Sequence, residues 1–205
     1  MKGQTLTRLK ESASQTAGPY VHIGLTPNFC GITGVYPEDL GIRMVNEKTK
    51  GERITVKLRL IDGTGSVTKD ALIEIWQADA DGLYNSPDEP RGKADPNFTG
   101  WGRQPSDPET GVFTFETVKP GRVPFMDGRM QAPHISLWIA ARGINIGLQS
   151  RLYFGDEEQA NAEDPVLSRL EHPSRAATLI AQRDGNTYSL DIHLQGEKET
   201  VFFDV

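Results

Sequence analysis

The sequence predicts an all-β protein: a single β-sandwich domain with long loops, an N-terminal arm and one or two short helices. Three observations carry that expectation. Apolar alternations of period two recur through most of the chain, the pattern of strands with one covered face. Clusters of Asp, Gly, Pro and Asn punctuate them at short intervals. Segments with helical periodicity are few and short.

Residues 1–20 and 81–108 are polar or rich in Gly and Pro, so they read as an arm and a long loop. Residues 53–60 alternate strictly and run into the turn Asp62-Gly63-Thr64-Gly65. In residues 72–77, Ile73, Ile75 and Gln77 share one face while Leu72, Glu74 and Trp76 share the other. Asp107 to Gly111 forms a turn before a strand over 112–117. Residues 135–141 are apolar at nearly every position, as in a central strand covered on both faces. Strands over 151–154 and 188–194 complete the set, with Asp184-Gly185 punctuating before the second. Helix is expected only at 156–162 and 173–181, about two turns each. The tail from Thr200 to Val205 suits an edge strand or docking on a partner.

A chain of 205 residues fits one domain, 1–205, and buries a core without disulfides or metal. Cys30 is the single cysteine, which suits a reducing cytoplasm. No apolar run approaches the ~20 residues that span a bilayer. The first ten residues lack the continuous apolar segment of a secretory signal. A net charge of −6 counts against a nucleic-acid partner, yet leaves room for a pocket that takes a small anion. The expectation is a soluble cytoplasmic protein with no membrane and no nucleic-acid partner.

Chemistry-bearing residues concentrate in three segments. Residues 73–84 run from Ile73 through Trp76-Gln77-Ala78-Asp79 to Gly82-Leu83-Tyr84, ending on a phenol suited to a hard metal. Residues 118–124 contain Lys119-Pro120-Gly121 followed by Val123. Residues 131–138 read Gln131-Ala132-Pro133-His134-Ile135-Ser136-Leu137-Trp138. Together these segments resemble the intradiol ring-cleaving dioxygenases. That resemblance implies a non-haem ferric site of two tyrosines and two histidines, the histidines written His-x-His. Tyr84 and His134 match this pattern, whereas Val123 and Ser136 stand at the other two positions. Valine has no donor atom and a serine hydroxyl is a poor ligand, so no tightly held metal is expected in this chain. Tyr84 and His134 then read as remnants with ordinary hydrogen bonds. His22, His172 and His193 are not spaced as a ligand pair, so solvated or structural roles are expected for them.

Within the family the chain resembles the alpha member of a branch built from two homologous chains, of which only beta keeps the iron ligands. Further matches are Ser14 to Gly24, Ala141-Arg142-Gly143-Ile144-Asn145-Ile146 and Gly196 to Asp204, so the likeness runs nearly end to end. It implies that Fe(3+) is bound by a partner beta subunit, with no cofactor held by this chain, inside a higher-order alpha-beta oligomer. It also implies that Thr16, Gly18, Pro19, Tyr20 and Arg142 line a pocket over that partner's iron, with no catalytic residue in this chain alone. The glycine lets a backbone approach a planar ring, the proline stiffens the loop, and the arginine is a permanent cation for an anionic substrate. The implied reaction inserts dioxygen between the hydroxyl-bearing carbons of 3,4-dihydroxybenzoate, giving 3-carboxy-cis,cis-muconate. Two other readings stay open from the residues: a divergent self-sufficient metalloenzyme using Tyr84 and His134, and a non-catalytic β-sandwich binding module. For Arg142, an ordinary ion pair with a local acid also stays open.

Overall fold

The alternating segments pair into eight strands in a computed structural model that describes residues 15–204. These are β1 (Arg53–Ile61), β2 (Ala71–Trp76), β3 (Trp101–Pro105), β4 (Val112–Val118), β5 (His134–Ala141), β6 (Leu148–Phe154), β7 (Ile180–Asp184) and β8 (Thr187–His193). Hydrogen bonding runs in the order β3-β2-β5-β6-β7-β8-β1-β4. The run is pinched at β6–β7, where only Tyr153↔Ile180 and Phe154↔Ala181 pair, and there it folds over on itself. The half β3-β2-β5-β6 thus faces the half β7-β8-β1-β4 as a sandwich.

Between the halves lies one core, fed by every second residue. Ile54, Val56, Leu58 and Leu60 come from β1, Phe113 and Phe115 from β4, and Tyr188 and Ile192 from β8. Ile73 and Ile75 of β2, Ile135, Leu137 and Ile139 of β5, and Leu152 and Phe154 of β6 meet them from the other side. A smaller cluster around Tyr153, Leu167 and Leu179 sits on the outer side of β6. It is roofed by α2 (Glu158–Ala162) and by 3-10 turns at Leu167–Arg169 and Pro173–Leu179.

The structure corrects several expectations. The stretch 81–108 is not all loop, because β3 pairs along the edge of β2 from Trp76↔Trp101 to Leu72↔Pro105. The second expected helix is a 3-10 turn that ends at Leu179, and the chain then extends as β7. Residues 1–20 do not end in an arm: the helix α1 (Pro19–Leu25) begins inside that range, with Pro19 in its first turn. Residues 1–14 of the expected arm lie outside the described residues. β5 is central, but its outer face is only partly covered: His134 and Ala140 are buried there while Ser136 and Trp138 are half-buried. The tail adds no strand beyond an isolated bridge, Gln149↔Phe203.

Candidate functional site

The outer face of β5 carries two separate constellations, one at each end of the strand. The first contains the four residues aligned with the ferric site. The turn that places Tyr84 is built by its own motif. Gln77 is fully buried; its Nε2 donates to the Val118 carbonyl (2.9 Å), while its Oε1 accepts from the Thr117 hydroxyl (2.9 Å). Asp79, also buried, accepts from the N–H groups of Asp81, Leu83 and Asp95. The Gly121 N–H donates to the Asp79 carbonyl (2.8 Å), which docks the segment bearing Val123 against the one bearing Tyr84. Tyr84 stacks parallel on Trp76 with ring centres 5.9 Å apart. Together with Val123 and Pro124 they line a cavity of about 530 Å³.

Ser136 faces out beside this cavity, paired with Trp76 of β2 on one side and Arg151 of β6 on the other. His134 is 5% exposed, lies against Tyr153 and places Nδ1 2.8 Å from the Ala132 carbonyl. That bond fixes Nδ1 as the protonated nitrogen of a neutral ring. Burial, reinforced by the charge of Arg151, lowers the His134 pKa to about 4. Burial also raises the pKa of the Tyr84 phenol, against the opposing pull of Arg151 and Arg91. Arg151 itself donates to Gln131 Oε1 (2.8 Å) and to the Tyr153 hydroxyl (3.2 Å).

The second constellation lies where β5 ends. Arg142 pairs with Asp70 at 2.6 Å, and Asp70 also meets Nε2 of His22 at 3.2 Å. The Arg142 side chain is nonetheless 68% exposed. The Thr16 hydroxyl accepts from the Gly143 N–H (2.6 Å) and the Ala17 N–H donates to the Ile144 carbonyl, so the arm's loop is clamped to the loop after β5. Thr16, Gly18 and Tyr20 line a cavity of about 450 Å³ there, with Trp138, Ala140 and residues 144–147 as the other wall. Pro19 and Tyr20 are exposed on α1, Tyr20 at 82%. The fold thus gathers Thr16, Gly18, Pro19, Tyr20 and Arg142, and keeps them apart from Tyr84 and His134. The sequence did not single out Asp70 or Arg151, and His22, expected in a solvated or structural role, pairs with Asp70. A charged residue at a strand end was a signal for Asp70; nothing local pointed to Arg151.

The family model described as Dioxygenase matches residues 26–196. The chain belongs to the intradiol dioxygenase family. This family member is 45% identical over 200 residues to the protocatechuate 3,4-dioxygenase alpha chain of Pseudomonas putida, a match covering 96% of this chain and 97% of that one. It is 31% identical over 165 residues to the protocatechuate 3,4-dioxygenase beta chain of Burkholderia cepacia, covering 76% of this chain and 69% of that one. Among solved structures, an intradiol ring-cleavage dioxygenase from Tetranychus urticae superposes with a TM-score of 0.54 at 25% identity, covering 78% of this chain and 91% of that one.

Intradiol dioxygenases imply a ferric ion, and the residues at the first constellation do not fit one. Val123 is buried and offers no donor, and Ser136 offers only a hydroxyl. Tyr84 can supply at most one phenolate, and its burial raises the cost of ionising that phenol. Arg151 adds a permanent positive charge at the same place, and its repulsion of a trivalent ion is long-ranged in a half-buried setting. Among the described residues no group of three or more His, Cys, Asp or Glu side chains converges on a point, and no helix is long and apolar enough to cross a membrane.

Proposed function

We propose that this chain is the alpha partner of a two-chain intradiol dioxygenase that cleaves 3,4-dihydroxybenzoate with dioxygen to 3-carboxy-cis,cis-muconate. The ferric ion sits on a homologous beta chain, and this chain lends that site the loop Thr16–Tyr20 and Arg142. One observation carries the reading. Arg142 lies eight residues beyond His134 along β5, which at ~3.3 Å per residue is roughly 26 Å, several times the length of an arginine side chain. The pocket-lining residues therefore cannot serve this chain's own vacated site; they are presented outward, to another molecule. Full-length likeness to an alpha chain, together with a weaker likeness to a beta chain, supports a pair of related subunits. The single, exposed Cys30 accords with a cytoplasmic home.

Each contributed residue has a job its own chemistry dictates. Asp70 holds the Arg142 guanidinium by one edge and leaves the rest facing solvent, aimed for the carboxylate or the ring oxygens of a dianionic substrate. Thr16 acts as the clamp that fixes the loop, since its hydroxyl is taken by the Gly143 N–H. Gly18 has open space where a Cβ would stand, so a planar ring can approach its backbone. Pro19 begins α1 and restricts the glycine before it.

The test uses the assembled complex. Arg142→Ala should raise KM about tenfold or more, the cost of losing a charge-assisted hydrogen bond, with iron content unchanged. Unchanged kinetics would remove Arg142 from the pocket. Iron bound stoichiometrically by this chain in isolation, with the visible colour of tyrosinate-to-iron charge transfer, would overturn the division of labour.

A further inference from the structure

Asp70 stands just before β2 and Arg142 just after β5, set opposite each other by the register Ala71↔Ala141. Their backbones join where the Arg142 N–H donates to the Asp70 carbonyl (3.2 Å). The Asp70 carboxylate then uses its two oxygens separately. Oδ2 pairs with the Arg142 guanidinium at 2.6 Å, and Oδ1 lies 3.2 Å from Nε2 of His22 on α1. The three side chains grade from interior to solvent: His22 is 12% exposed, Asp70 38% and Arg142 68%. The imidazole also packs beside Phe29, ring centres 6.0 Å apart.

Fastening α1 does not require the contact with Asp70. The chain entering the helix is tied by Thr16 to Gly143 and by Ala17 to Ile144. The helix end is tied by Arg103 Nη1, which donates to the Leu25 carbonyl (3.3 Å). Nor does an imidazole suit this place for stability alone, because its Nδ1 is buried and meets no partner among the described residues. The one polar group that the ring meets there is Asp70. An aspartate carboxylate turns easily about its last torsion, so one engaged only at Oδ2 would let a long, exposed arginine swing. A mostly buried ring set against Oδ1 removes that freedom. We propose that His22 is a positioning residue for the dioxygenase reaction: through Asp70 it fixes the direction in which Arg142 meets the anionic oxygens of the substrate. The proposal rests on the reading that Arg142 serves the partner's pocket. It makes the lent surface one unit, since the short helix that starts at Pro19 also sets the arginine.

Steady-state kinetics of the assembled complex with 3,4-dihydroxybenzoate test it. His22→Phe keeps a flat ring beside Phe29 and removes the nitrogen that faces Asp70. It should raise KM about threefold or more, with kcat and iron content unchanged and the melting temperature moved by at most a few degrees. His22→Gln, whose amide presents an N–H at similar reach, should return KM most of the way to wild type. His22→Leu serves if the phenylalanine variant fails to assemble. In an Arg142→Ala background His22→Phe should change KM no further, because the guanidinium through which it acts is gone. A merely structural role would give the same loss in both backgrounds and no recovery with glutamine. Wild-type KM in both His22→Phe and His22→Leu would overturn the proposal, as would a KM increase that persists unchanged after Arg142→Ala. The two failures are distinguishable: Arg142→Ala without effect takes the arginine out of the pocket, whereas an Arg142→Ala effect beside silent His22 variants overturns the positioning role alone.

Discussion

His134 is a ligand-type side chain enclosed among neutral and cationic neighbours. The ring is neutral, bonded through Nδ1 to Ala132, and its pKa is lowered to about 4 by burial and by Arg151. In the unfolded chain the same histidine protonates near 6.5. The folded state thus resists a proton that the unfolded state accepts, so the associated stability is fully present above pH ~6.5 and is lost as pH falls toward 4. Between pH 7 and pH 5 this single group should cost about 2 kcal/mol. Denaturant unfolding of wild type and His134→Gln at the two pH values isolates it: the wild type should lose about 2 kcal/mol more than the variant. Equal losses would mean that the ring is accessible to protons in the native state. Arg142 is the contrasting residue. It is exposed and anchored at one edge by Asp70, so Asp70→Ala should leave stability within about 0.5 kcal/mol. In the assembled enzyme, however, that substitution should raise KM several-fold, because a loosened guanidinium spends less time aimed. A denaturant melt reads the first effect and a steady-state substrate titration the second.

At the scale of elements, the strands legible in the sequence were those whose apolar pattern is their own. β1, β2 and β8 carry apolar residues at every second position, β4 does so at Phe113 and Phe115, β5 is apolar nearly throughout and β6 ends in Leu152-Tyr153-Phe154; all six emerge within a few residues of the expected bounds. β3 has no such pattern: Trp-Gly-Arg-Gln-Pro has no alternation, and its extended form is imposed by pairing along the edge of β2, where a terminal Pro105 is tolerated. β7 follows an Ala-rich stretch that reads as helix, and is drawn out by β6 on one side and β8 on the other. α1 was announced by Pro19 but masked by its Gly18 and Gly24 neighbours. The candidate residues that the sequence marks are those that sit in motifs, as with Thr16, Gly18, Tyr84 and Arg142. The site was illegible where a neighbour is set by register, as with Arg151 opposite Ser136. The turn at Gly82 shows why such motifs carry glycine. Its φ is +79°, and a Cβ there would run into the Arg122 carbonyl oxygen of the segment that carries Val123. Gly82→Ala should therefore destabilise by about 2 kcal/mol or more, combining left-handed strain with a backbone collision. It should also unstack Tyr84 from Trp76. A thermal melt and the near-ultraviolet circular dichroism of the aromatic pair test both parts; a neutral melt would show that the two segments separate freely.

Across the whole molecule, apolar exposure is unevenly spread. Eight of the twelve large apolar side chains left exposed among the described residues fall between positions 20 and 42, on α1 and the segment that follows it. This is not a loosely attached strip. Asp39 is buried, and its carboxylate accepts from the N–H groups of Asn28 (2.8 Å) and Phe29 (2.8 Å). Asn28 Nδ2 donates to the Tyr36 carbonyl, and Gln104 reaches from β3 to the Ile42 carbonyl. The backbone is pinned while Phe29, Val35, Leu40 and Ile42 face outward. A pinned segment that exposes this many apolar side chains is costly in water unless another surface covers it. This one is continuous in the chain with the Thr16–Tyr20 loop that the proposed assembly presents to a partner's pocket. A single exposed valine offers a mild way to test that cover. Val35 is 55% exposed, so Val35→Glu removes little packing within the chain and should change its own melting temperature by at most a few degrees. If the face is covered in the assembly, the same change buries a carboxylate against apolar surface and should weaken association at least tenfold. Light scattering of co-expressed chains should then show smaller species, with turnover falling in step with the loss of complex. An intact assembly carrying Val35→Glu would place the interface elsewhere on the sandwich and leave the apolar strip facing solvent.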